Sequence, residues 1–77
     1  MEGGNMIDKK AEISLKALRS LRGISQKNLA YKIGRHESTI LNWEKGRTSM
    51  TIEDYLKVKN LLDPKDEFFL QIKSSLS

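Results

Sequence analysis

SQKNLAYKIGRHESTILNWEKGR, running from Ser25 to Arg47, is the stretch whose reading decides the fold. Ser25 is a good N-cap, because its hydroxyl can accept from a free amide in the first turn of a helix. Leu29, Ala30 and Ile33 then recur at helical spacing on one face. Gly34 follows at once, where helices commonly end in a left-handed residue that glycine adopts without strain. Beyond that turn Ile40 and Trp43 form a second apolar stripe, and Gly46 closes the second helix. Counting from Gln26, Ala30 stands fifth, Gly34 ninth, Ile40 fifteenth and Trp43 eighteenth. A small fifth residue lets two helices cross closely, and the ninth needs a positive φ. Apolar fifteenth and eighteenth residues close the wedge between them. The spacing predicts two short helices held across a glycine turn.

These offsets, with the NWEKG ending at residues 42–46, resemble the helix-turn-helix of the phage repressor and Cro family, the XRE type. The resemblance covers roughly residues 15–62. It implies an all-α fold, a compact bundle of about five short helices of the lambda-repressor-like DNA-binding type. It also implies a sequence-specific double-stranded DNA-binding transcriptional regulator. Such a protein reads operator bases in the major groove with helix 37–45, as a homodimer, in the cytoplasm of a bacterial or phage-infected cell. By position, the family's base-reading residues fall on Glu37, Ser38 and Asn42. A family arginine that pairs with a glutamate falls on Arg19 and Glu44; two independent surface charges are the other reading. His36 stands where the family has a Ser or Thr N-cap, and Glu37 compensates through the helix dipole.

The residue types fit those places. Asn42 can bond adenine through N6 and N7, whereas Ser38 can bond several bases and specifies little. Glu37 either accepts from a cytosine amino group or serves only as a helix-start charge. Leu41 is apolar on a face expected to be exposed, where a thymine methyl or a partner protein would cover it. Phosphate contacts are expected from Gln26, at the start of a helix with free amides, and from Ser25 unless capping uses its hydroxyl fully. Lys45, Arg47, Thr48 and Ser49 cluster just past the reading helix, either on the other strand's phosphates or as a solvated loop.

The flanks complete the expected bundle. Residues 1–12 are expected to be a flexible amino-terminal segment, and residues 13–77 one helix-turn-helix domain. A helix over residues 15–22 begins after the N-cap Ser14, with Leu15, Ala17, Leu18 and Leu21 facing inward. Thr51 caps a helix over residues 52–62, whose apolar set is Ile52, Tyr55, Leu56, Val58, Leu61 and Leu62. Asp63-Pro64 reads as the cap and first position of a fifth helix reaching about Ser74. Its apolar set would be Phe68, Phe69, Ile72 and Leu76, with one phenylalanine inside and the other free for a subunit interface.

Composition narrows the function further. Seventy-seven residues allow one small domain, for which a tight helical bundle is the plausible core. With no cysteine and one histidine, no metal site or cofactor is expected. No apolar run resembles a membrane span or a signal peptide. A net charge of +4 favours an anionic partner, though weakly. Ser25, His36 and Asp54 are not placed as nucleophile, base and orienter, so no catalytic residue, enzyme activity or small-molecule substrate is expected. The competing reading is a protein-interaction module, an antitoxin or polymerase adaptor, built on the same bundle.

Overall fold

Two serine caps and two glycine stops shape the amino-terminal half of the protein in a computed structural model that describes residues 10–71. The elements run β1 (Ala11–Ile13), α1 (Leu15–Arg22), α2 (Gln26–Ile33), α3 (Glu37–Glu44), α4 (Ile52–Leu62) and β2 (Phe68–Leu70). Ser14 Oγ accepts from the Ala17 amide at 3.1 Å, and Ser25 Oγ from that of Asn28 at 3.0 Å. Gly34, at φ 76°, ends α2, and the next amide, of Arg35, reaches back to the Ala30 carbonyl at 2.8 Å. Gly23 ends α1 in the same way, with Ile24 bonding back to Arg19. Both are left-handed stops that satisfy orphan carbonyls.

The core joins Leu15 and Leu18 of α1, Leu29, Ala30 and Ile33 of α2, Ile40 and Trp43 of α3, and Val58 and Leu62 of α4. Leu70 of β2 completes it, with Ile13, Ile24, Met50, Tyr55 and Phe68 packed against its margin. The molecule is thus a mostly helical helix-turn-helix bundle, with four helices among the described residues.

Several details depart from the sequence reading. Leu21 is 56% exposed and Ala17 is exposed, although the sequence pattern puts both inside. At 100° per residue the inner face of α1 passes through residues 15, 18, 19 and 22, and Leu21 falls far off it. The end of α1 turns Arg19, half-buried, and Arg22, exposed but within reach of α4, toward the bundle. Arg22 Nε donates to the Leu62 carbonyl at 2.6 Å. On α4, Ile52, Leu56 and Leu61 face solvent, and only Val58 and Leu62 of the expected apolar set are buried, with Tyr55 half-buried.

The expected fifth helix is replaced by a turn and a strand. Asp63 closes α4 instead of opening a helix: its carboxylate accepts from the amides of Glu67 at 2.8 Å and Phe68 at 3.0 Å. Lys59 Nζ donates to the same carboxylate at 2.8 Å and to the Phe68 carbonyl at 2.9 Å. Asp66 then takes φ 56°, which a right-handed helix does not accommodate. Phe68 and Leu70 point inward and Phe69 outward, the alternation of a strand. β2 pairs in parallel with β1, Ala11 opposite Phe68, Glu12 opposite Phe69 and Ile13 opposite Leu70. Ala11 and Glu12, assigned to the flexible segment from sequence, are therefore strand. The rest of that segment before residue 10, with Ile72 and Leu76, lies outside the described residues.

Candidate nucleic-acid interface

α3 turns one side to the core and the other outward. Ile40 and Trp43 are buried, which directs residues 38, 41, 42 and 45 to the opposite side at helical spacing and leaves Glu37 on the flank of the first turn. Glu37, Ser38 and Lys45 are exposed, while Leu41 and Asn42 are half-buried. Leu41 is thus less open than its expected exposed place implied. The side chain of His36, the N-cap, makes no capping hydrogen bond, and Glu37 stands in the first turn. Asn42 Oδ1 lies 3.5 Å from Arg47 Nη1, longer than a well-formed bond, so its amide is not locked away from a base.

The carboxyl end of α3 is clamped from two sides. Arg19 Nε donates to Glu44 Oε2 at 2.5 Å and Nη2 to Oε1 at 3.1 Å, while Nη1 holds the Ile24 carbonyl at 2.9 Å. Gln26 Nε2 adds a bond to Glu44 Oε1 at 2.9 Å. Only 6% of the Glu44 side chain is exposed. Burial pushes its carboxyl up, but the bonds from Arg19 and Gln26 outweigh this and hold it below the ordinary value.

This cluster sets the layout of the expected phosphate contacts. Gln26 starts α2, and its bond to Glu44 brings that helix start beside the end of α3. One Gln26 amide hydrogen is committed to Glu44, leaving the second for another acceptor. The Ser25 oxygen accepts in capping, so what it can offer outward is its hydroxyl hydrogen. Lys45, Arg47, Thr48 and Ser49 are exposed on the loop after α3, which Gly46 turns at φ 74°. The structure thus brings Ser25, Gln26 and the basic loop to the edge where α3 ends. Glu37 and Ser38 stand at its far end.

Sequence reasoning missed a second ion pair. Arg35, just after the turn glycine, places Nε 3.0 Å from Asp54 Oδ1 and Nη2 2.8 Å from Oδ2. Burial raises the Asp54 carboxyl, and the bonds from Arg35 and Thr51 more than reverse that. No local spacing links Arg35 to Asp54, nineteen residues apart. The i,i+4 pair of Lys59 and Asp63, which also caps the edge of a strand, was missed as well, because the residue pattern reads Asp63 as a helix cap.

A capped helix, a glycine turn and a second helix with one buried and one outward side define a helix-turn-helix DNA-binding protein. A helix-turn-helix family model matches residues 15–68, well over half of the chain. The chain belongs to the XRE-type (Cro/C1-type) helix-turn-helix family, and it is a DNA-binding regulator in that general sense. Searches of curated proteins and of solved structures gave no significant match. No described helix is long and apolar enough to cross a membrane.

Proposed function

We propose that the protein is a sequence-specific transcriptional regulator that binds an operator as a homodimer. It reads the major groove with the outward side of α3. The observation that carries this reading is the division of α3: Ile40 and Trp43 are buried while Ser38, Leu41 and Asn42 share the other side, with Glu37 exposed on the flank of the first turn. Asn42 reads adenine, Ser38 adjusts to the neighbouring base, Leu41 meets a thymine methyl, and Glu37 accepts from a cytosine amino group. Ser25 and Gln26 hold one phosphate run, and Lys45, Arg47, Thr48 and Ser49 hold another.

The dimer is supported by apolar surface left over from the core. Ile52 and Leu56, 72% and 57% exposed, stand one turn apart on α4, just past the loop that ends α3. A two-fold contact there would repeat α3 beside itself, and such symmetry demands a palindromic site.

Selection from randomised duplexes at physiological salt tests the proposal. The expected product is an enriched palindrome whose half-sites lie about one helical turn apart. An unenriched pool would reject it.

A further inference from the structure

The first turn of α3 carries Glu37 and Ser38, yet the helix is weakly fixed there by its own residues. His36 supplies no side-chain cap, and the first buried side chain of the helix is Ile40. The other end is firmly held, by buried Trp43 and by Glu44 between Arg19 and Gln26. A short rod fixed at one end pivots about that end, so its free end needs a second fixed point.

Arg35 supplies one. It stands two residues before α3, and its own amide closes α2 on the Ala30 carbonyl at 2.8 Å. Its guanidinium crosses to α4, where both Asp54 oxygens accept from it. Thr51 Oγ1 donates to Asp54 Oδ2 at 3.0 Å and accepts from the Asp54 amide at 3.1 Å. The Asp54 side chain is only 3% exposed, so this anchor is set into the bundle. A planar fork on a carboxylate fixes both distance and angle, which a lysine ammonium does not.

We infer that Arg35, through its forked pair with Asp54, is a positioning residue that sets where the first turn of α3 meets the bases. The inference rests on the DNA-reading proposal above. A pair that served stability alone would leave the pattern of base preference intact. A positioning pair would not, because the lever arms differ. At 1.5 Å rise per residue Glu37 lies about 10 Å along the axis from Glu44, and Asn42 only about 3 Å. Loosening the Arg35 end therefore displaces Glu37 much more than Asn42.

The experiment is binding-site selection by Arg35→Lys alongside the unaltered protein. Glu37→Ala and Asn42→Ala identify which operator positions each residue reads. Circular dichroism and a urea midpoint establish that each variant is folded under the assay conditions. Arg35→Lys is expected to lower preference at the first-turn position by at least about fivefold, and at the Asn42 position by less than about twofold, against the 1–3 kcal/mol one good base contact supplies. Equal losses at both positions, or no change at either, would overturn the inference. If Arg35→Lys does not fold, Asp54→Asn, which keeps the shape but weakens the fork, decides by the same comparison. Enrichment by the unaltered protein with an unchanged variant profile defeats the inference alone. No enrichment by the unaltered protein defeats the DNA-reading proposal, and this inference with it.

Discussion

Arg19 and Glu44 form a part-buried, forked ion pair, with Nε 2.5 Å from Oε2, that ties α1 to the last residue of α3. Removing one partner leaves the other charge in a site with almost no water, where its desolvation is uncompensated. Glu44→Ala is expected to destabilise by roughly 3–5 kcal/mol, a large share of the stability of so small a domain. Urea unfolding measures it, and a loss below about 1 kcal/mol would show that the pair behaves as surface charges do.

Acid should weaken the fold through Asp63. Burial alone would raise that carboxyl, but bonds from Lys59 and from the amides of Glu67 and Phe68 bring it from 3.8 down to about 2. A depressed folded value means the stabilisation is complete above the unfolded value and disappears as pH falls through the folded one. The Asp63 contribution should therefore drain between about pH 4 and pH 2, with Glu44 and Asp54, also lowered, adding in the same direction. Denaturant midpoints taken across that range should fall, and Asp63→Asn should flatten the fall while lowering stability near neutral pH.

The turn glycine can be tested apart from any contact. A Cβ on Gly34 would meet nothing within 4 Å, so Gly34→Ala is strained only by its positive φ. The expected loss is about 1–2 kcal/mol in thermal or urea unfolding. Gly34→Asn should lose less, because asparagine tolerates the left-handed region.

Electrostatic contacts should separate from reading contacts. Lys45→Ala and Arg47→Ala are each expected to flatten the slope of log affinity against log salt by about 0.9 for every phosphate the removed cation neutralised. Sequence preference should hardly change. Asn42→Ala should do the reverse, relaxing one position of each half-site by about 1–3 kcal/mol with little effect on the slope. Titrations of a fixed duplex at several salt concentrations distinguish the two behaviours.

Local signals were the legible ones. Ser14, Ser25 and Thr51 sit at helix starts and Gly23 and Gly34 at helix stops, each marked by residue type and by an apolar period beginning or ending there. Asp63-Pro64 carries the same local marks of a helix start, yet distant residues decide the backbone beyond Pro64. β2 forms because residues 11–13 offer a strand more than fifty positions away, and Lys59 and Asp63 tie down its other edge. Apolar identity on α1 and α4 likewise did not reveal burial, since Leu21, Ile52 and Leu56 stay exposed among the described residues. At the site, residue positions on α3 could be read from spacing. Gln26 on Glu44 and Arg35 on Asp54 needed the packed bundle to be seen.

The most direct measurement is the ratio of affinities for the selected operator and for a scrambled duplex of equal length and composition, at one physiological salt concentration. A dimeric reader of bases should favour the operator by at least about 10³, and the preference should drop sharply in the double variant Ser38→Ala/Asn42→Ala. A ratio near one, with affinity set by salt alone, would contradict the claim that α3 reads sequence.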